Sequence, residues 1–436
     1  MDIISKPLAS FSFDNIVAFA KENNQEGVQL DYKEELPDKK KLSQLVAAFA
    51  NTRGGVIVVG VKENRENGRP AKWEGIRDDH HDEFVAQVIG NISPLPSYEF
   101  HKTDDKDGKV FVLIRVFEGN QTPYYPHNDS NIWIRTGSIK KSVEIASPEH
   151  AELLFKKTDR AENGRHQNII LANKNYEAFL QSAENERKHE LAVEKHNYEI
   201  KKSNLEDGDT LPPFSSPLSQ FQVGNNVAML TITIQPFFSH GQIIRPLDIE
   251  PVIQRSEVRN NHFSFPIRAG HWDSVKEGMI HFNWRRHNGE VGCQQVFANG
   301  LMYSANDVLR VVEGERKVTY LSWFVSQLYI TLRGSRKILS ELGYQGTLVG
   351  KIHISGIQGV AVIPVIKTMF FDDGDLSKFD KLSWPINVNT KLVTDEPNLR
   401  EYIVQIAKDI HWSFGYKDIQ KGITVERLEK DRFFVS

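Results

Sequence analysis

Three acidic residues and one lysine give this chain its first chemical signal. In the run Glu26-Gly-Val-Gln-Leu-Asp31-Tyr-Lys33, two carboxylates stand five residues apart and a lysine follows two positions later. Val28, Leu30 and Tyr32 alternate with Gln29, Asp31 and Lys33, the period-two pattern of a strand with one polar face, so Asp31 and Lys33 share a side. A third acid, Glu63, follows the apolar run 56–61, which reads as a short strand central in a sheet. If the two strands are neighbours, Glu26, Asp31 and Glu63 converge. Carboxylates that close repel one another unless a proton or a cation stands between them. Hard oxygen donors favour Mg²⁺ or Mn²⁺, which can activate water and stabilise charge on a phosphoryl group. Lys33 then balances developing negative charge. The chemistry is that of a nuclease centre; the competing reading is a solvated strand edge.

The elements that must hold these residues can be traced over residues 10–160. Residues 12–21 read as a helix capped by Ser12. Leu42, Leu45, Val46 and Phe49 follow i, i+3, i+4, i+7 and predict a helix over 39–52. Arg53-Gly54-Gly55 ends it, and glycines at a helix C-terminus indicate a tight turn, not a phosphate cradle. No G-x-x-x-x-G-K-[ST] motif supports a nucleotide site. Another helix carries Phe84, Val85, Val88, Ile89 and Ile92, and strands follow near 98–102, 110–117 and 132–135. Short strands interleaved with helices describe an α+β (mixed α/β) domain.

Cations near these elements are candidates for contact with a polyanion. Lys39, Lys40 and Lys41 open a helix whose first turn would prefer acids, and Arg53, Arg135, Lys140 and Lys141 lie in turns or at strand ends. Lys140 and Lys141 are read as phosphate contacts and Trp133 as packing. His80 and His81 read as a solvated helix start, because adjacent residues leave a helix in different directions. Tyr124-Tyr125-Pro126-His127 is either a base-stacking segment or an aromatic turn. Trp284-Arg285-Arg286-His287, with Asn288-Gly289 as its turn, is a basic hairpin candidate.

Composition bounds the rest. The 436 residues carry 54 Lys+Arg and 57 Asp+Glu, a formal net charge of −3, so any grip on nucleic acid must be a local patch. One cysteine, Cys293, excludes a disulfide framework and multi-cysteine zinc sites and fits a reducing, cytoplasmic setting. No secretory leader and no membrane-spanning run is read. Residues 166–220 hold a charge-dense stretch that predicts a long solvated helix, then a Pro/Ser-rich hinge. Residues 221–436 read as a further α+β domain for sensing, targeting or oligomerisation. It contains an apolar helix over 320–342 that Gly334 divides.

The order E-x-x-x-x-D-x-K, then Ala48-Phe-Ala-Asn51-Thr-Arg-Gly54-Gly55, an apolar strand ending in Gly60-Val61, and later Ile132-Trp-Ile-Arg135-Thr-Gly-Ser138 resembles the Schlafen-type AlbA-like domain over residues 10–160. The resemblance implies a metal-dependent endoribonuclease acting on structured RNA such as transfer RNA, with a role in bacterial defence. Glu26, Asp31 and Glu63 would be the catalytic and metal-holding acids, Lys33 their auxiliary, and Mg²⁺ or Mn²⁺ the cofactor. It equally implies an alternative, a non-catalytic DNA- or RNA-binding regulator. The sequence departs from the family at two points: Asp31 stands where glutamate is usual, and Lys62-Glu63 where two aspartates are common. Two-lobed relatives carry a second copy of the domain, whereas this chain has one, so a homodimer is expected.

Overall fold

Ser12 starts the first helix, α1 (Phe13–Lys21), through a capping box. Its hydroxyl accepts from the Asn15 N–H and its own N–H donates to the Asn15 side chain. The strand β1 (Leu30–Lys33) is followed by the helix α2 (Lys39–Asn51), whose N-cap is Asp38, accepting from the Lys41 N–H. β2 (Gly55–Val59) then runs parallel to β1, with Leu30 opposite Val56 and Lys33 opposite Val59, so α2 is their crossover. A hairpin of β3 (Val61–Asn64) and β4 (Arg69–Trp73) leaves the sheet after Gly60, and α3 (His81–Ile89) follows. Antiparallel strands Val112–Val116 and Tyr98–Lys102 complete a four-stranded sheet in which β1 is an edge.

This sheet is buried on both faces. α1 covers Leu30, Tyr32, Val56 and Val58, while α2 and α3 cover Ile57, Val59, Val112 and Ile114. In-register pairing with Ile57 and Val59 puts Asp31 and Lys33 on the α2 side. The sequence-based element order of this region therefore stands. Its α+β class stands with it.

The structure, a computed structural model, describes every residue except 1–2, 5–7, 65, 120, 137–142, 206–209, 226–227, 238–243, 260–262, 269–270, 286–288, 313–315, 342–343, 345–346, 365–374, 389–395, 417–421 and 431–436. The predicted contacts Lys140 and Lys141, and Arg286, His287 and Asn288 of the hairpin candidate, lie outside the described residues.

The connecting helix is longer than the charge pattern predicts, and its charge-dense part is solvated from residue 188 on, as that pattern implies. It runs from Lys157 to Ser203, 47 residues, and Ala172, Tyr176, Phe179 and Ala183 pack on Ile280, Phe282, Cys293 and Tyr303. Glu184 and Arg187, in the charge-dense stretch, form a buried ion pair. At its start, Lys157 pairs with Glu118 at 2.6 Å and donates to the Thr52 carbonyl at 3.3 Å, placing a cation on the carbonyl end of α2.

Beyond residue 220 an antiparallel seven-stranded sheet takes the order Asp273–Val275, Gly278–Trp284, Val291–Phe297, Met302–Asp307, Met229–Pro236, Leu348–Ser355, Lys381–Val388. The long helix and the helix Leu321–Glu341 pack against it. Gly334 does not divide that second helix, contrary to the sequence expectation. A Cβ there would lie 2.2 Å from the Phe265 carbonyl oxygen, so the glycine is a packing requirement and not a break. Among the described residues no helix is long and apolar enough to cross a membrane.

Candidate active site at the edge of the N-terminal sheet

An edge strand leaves one row of backbone groups without partners. Here the side chains of Glu26 and Arg135 satisfy part of that row. The Tyr32 N–H donates to Glu26 Oε1 at 2.5 Å, and the guanidinium of Arg135 donates to the carbonyls of Gly27 at 2.5 Å and Leu30 at 3.1 Å. Glu26 is drawn back against β1 because its own N–H donates to the Gly68 carbonyl of the β3–β4 turn at 2.7 Å. That same turn brings Glu63 alongside.

The three acids converge as the spacing predicts. Glu26 shares a hydrogen bond with Glu63 and lies within the field of Asp31. Burial, then the contact with Glu63, then the Asp31 charge push the Glu26 carboxyl up from 4.5 to about 9, so it carries a proton at neutral pH. Glu63 Oε2 is buried without a hydrogen-bond partner. The contacts show which neighbour faces the site, since Glu63 and not Lys62 meets Glu26. Lys62 turns outward to an exposed ion pair with Glu34 at 2.8 Å, and the register slips by one residue between Lys62 and Glu63.

Asp31 differs from the other two. It is fully buried, with Oδ1 paired to Lys33 and Oδ2 held by Arg135 at 2.5 Å. The expected cage of three equivalent ligands is thus a Glu26–Glu63 pair beside an ion-paired Asp31. Among the described residues no group of three His, Cys, Asp or Glu side chains stands ready to hold a metal ion. The hard oxygen donors and the unpartnered Glu63 oxygen do fit Mg²⁺ or Mn²⁺ at the pair.

Arg135 requires a correction. The sequence pattern places it on the nucleic-acid surface, but its side chain is wholly buried, and its guanidinium lies 4.6 Å from the centre of the Phe49 ring. It positions Asp31. The motif around residue 51 in turn positions Arg135. The Asn51 side chain donates to the carbonyls of Tyr124 and Trp133 at 2.8 and 2.9 Å and accepts from the Tyr124 N–H at 2.7 Å. Thr52 Oγ1 accepts from the Arg135 N–H at 3.0 Å. Gly54 and Gly55 have φ of 65° and 151°, and a Cβ on Gly55 would lie 2.4 Å from the Gln29 carbonyl oxygen. The motif is scaffold, and the glycine pair is the tight turn that its position implies.

The remaining cations divide. Lys39, Lys40 and Lys41 are exposed at the end of α2 reached from Lys33. Exposed Arg53 follows the other end, about 20 Å away at 1.5 Å per helical residue. Trp133 donates to Asp129 at 2.9 Å and serves packing. His80 and His81 mark the start of α3. Tyr124 is buried, whereas Tyr125 and His127 line an open cleft of about 850 Å³ with Pro94, Pro123 and Phe155.

Comparison with solved structures returns limited likenesses. The chain is 20% identical to the DIP2311 protein from Corynebacterium diphtheriae over 32% of this chain and 27% of that one, with a TM-score of 0.23. It therefore spans about a quarter of that protein's length. It is 19% identical to the N-terminal domain of a protein from Nitrosomonas europaea titled as related to the ATP-dependent DNA helicase RecG, over 29% of this chain and 90% of that one, with a TM-score of 0.23. No curated protein matches the chain. The family model described as Schlafen, AlbA_2 matches residues 26–144, so the segment that carries Glu26, Asp31, Glu63 and Arg135 is a Schlafen AlbA_2 domain.

Proposed function

We propose that the N-terminal domain acts on nucleic acid as a metal-dependent endoribonuclease that cleaves structured RNA of the transfer-RNA kind. One observation carries the reading: Glu26 and Glu63 are packed in contact, one holding a proton at neutral pH and the other presenting a buried oxygen without a partner. Such a pair invites a divalent cation in place of the proton. Glu26 and Glu63 would hold it, and when bound it would supply positive charge against the scissile phosphate. Asp31, clamped by Arg135, fixes the Lys33 ammonium at the site mouth, where it can meet a phosphate oxygen. Lys39, Lys40 and Lys41 extend that positive edge along the backbone of the substrate. The Schlafen AlbA_2 match supports a nucleic-acid role.

The ion-paired state of Asp31 supports a second reading, a non-catalytic DNA- or RNA-binding regulator using the same edge. Total transfer RNA and duplex DNA incubated with the protein and Mn²⁺ or EDTA distinguish the two. Discrete Mn²⁺-dependent cuts in transfer RNA, absent in Glu63→Gln with binding retained, support the nuclease. Binding without cleavage under every condition refutes it and leaves the regulator.

A further inference from the structure

The second polar centre of this molecule lies far along the chain, on the inner face of the seven-stranded sheet. Most of that face is apolar: Leu230 and Ile232 belong to the core under the helix Leu321–Glu341. Their in-register neighbours are Asn306 and Ser304, and the next strands continue with Gly292 and Gln294, then Asn283. An amide-rich strip has replaced hydrocarbon on one side of the core. Between it and the helix lies a cavity of about 230 Å³, lined also by Gln327 and Thr331, with Phe263, Ile267 and Ile330 as its apolar walls.

Two observations mark this cavity as built. First, Gln327 Oε1 and Thr331 Oγ1 are buried without hydrogen-bond partners, on residues only 2% and 1% exposed. They stand one helical turn apart on the same face, so both address the cavity. Each such orphan destabilises the fold unless something in the cavity satisfies it. Secondly, Gly292, the second residue of the strand Val291–Phe297, is a glycine because the amides converge over it. A Cβ there would lie 2.6 Å from Asn283 Oδ1 and 3.2 Å from Asn306 Oδ1. Glycine inside a strand often marks close approach of a ligand.

We propose that this cavity binds a neutral nucleoside. Its volume lies below the roughly 300–1,000 Å³ of drug-sized pockets, so the occupant is one small molecule and not a strand of RNA. Asn283 presents an amide edge of the kind that pairs with nucleobases, and Asn306 and Gln327, each with one N–H donated to Ser304 Oγ, present their amide oxygens. Thr331 offers its hydroxyl to a ribose, while Ser304 Oγ accepts from the Asn306 and Gln327 amides at 3.2 Å each and keeps its own O–H to donate. Charge excludes a phosphate: Arg285 is paired with Glu290 at 2.8 Å, and Asp307 adds a further negative charge to the lining. Gln294 anchors the roof, accepting from the Ile267 N–H at 3.0 Å and donating to the Ser264 carbonyl at 2.6 Å.

Calorimetric titration of the full chain with adenosine, guanosine, cytidine and uridine tests the assignment, with ribose and adenosine monophosphate as controls. At least one nucleoside binds, the monophosphate binds more weakly than adenosine, and ribose gives no heat. Gly292→Ala lowers nucleoside affinity about tenfold or more by filling the cradle. Thr331→Val, which removes an orphaned hydroxyl at constant shape, leaves the melting temperature of the free protein equal or higher while weakening the nucleoside. No binding by any nucleoside, tighter binding of the monophosphate than of adenosine, or affinity unaffected by Thr331→Val overturns the proposal.

Discussion

Replacing Arg135 by methionine separates a structural role from a surface role. The guanidinium donates to Asp31, to the Gly27 and Leu30 carbonyls, and lies over the Phe49 ring, all in a buried setting. Methionine keeps the volume and the apolar stem but leaves a buried carboxylate with only the partly exposed Lys33 beside it. Removing one partner of a buried pair costs about 3–5 kcal/mol, and the two carbonyls at the strand edge lose charged donors as well. A loss of about 4 kcal/mol is expected at β1 and β2. Hydrogen exchange read by mass spectrometry on peptides covering 27–60 of the full chain measures it as a local opening free energy. Exchange there should quicken by about three decades, at about 1.4 kcal/mol per decade. The companion change Asp31→Leu removes the stranded charge, so the double variant should be more stable than Arg135→Met alone, a coupling of about 2 kcal/mol or more. Exchange within tenfold of the unmodified protein, or strict additivity of the two changes, would refute the clamp. The double variant removes one charge of each sign, so it should leave the salt dependence of nucleic-acid binding unchanged.

The Glu26 carboxyl keeps its proton in the fold up to about pH 9 but loses it near 4.5 when unfolded, so this group opposes folding increasingly between those values. Glu26→Gln, unfolded in EDTA, should therefore match the unmodified protein below pH 4.5 and exceed it by about 3 kcal/mol at pH 7; a pH-independent difference would contradict the shared proton. Reversing Lys39, Lys40 and Lys41 to glutamate should weaken nucleic-acid binding and flatten its log–log salt slope by about one unit for each phosphate no longer neutralised, whereas Arg53→Glu, at the far end of α2, should change the slope less. Light scattering on the full chain should give a homodimer joined through residues beyond 220, and a monomer at micromolar concentration would exclude it.

Local signals in the sequence suffice for the N-terminal elements. α1 announces itself by its Ser12 cap, α2 by its apolar spacing, and the Asp31 strand by alternation. The nearness of Asp31 and Glu63 is also legible from neighbouring strands, whereas Glu26, which precedes β1, is brought in by its bond to the β3–β4 turn. Burial is not legible. Arg135 follows Ile132, Trp133 and Ile134, and nothing in its type tells a buried clamp from a phosphate contact. Its role depends on Thr52 and Asp31, distant in sequence and close only in space. The long helix is half legible for a related reason: from residue 188 on its charge-dense part is solvated as it reads, while Tyr176, Phe179 and Ala183 before it form an apolar stripe that needs the seven-stranded sheet to be recognised. The amide strip around Gly292 has no linear signature at all, because Asn283, Gly292 and Asn306 meet only through strand register.

The charges at the sheet edge form a balanced set. Glu26, Asp31 and Glu63 contribute three negative charges when ionised, and Lys33 and Arg135 two positive ones, so the site carries −1 without a proton and zero with Glu26 protonated. A neutral pair at rest neither repels a phosphate backbone nor holds it. Under the proposed function, exchanging the proton for a divalent cation would bring the same five side chains to +1, a local field of the sign a polyanion requires. The overall net charge of −3 offers no such attraction. The clamp on Asp31 matters to this balance. Were Arg135 absent, the site would rest at −1 even with its proton, and the first effect of a cation would be to cancel repulsion, not to create attraction. An arginine buried behind the acids would thus tune the edge so that one exchange, proton for cation, changes how it meets phosphate.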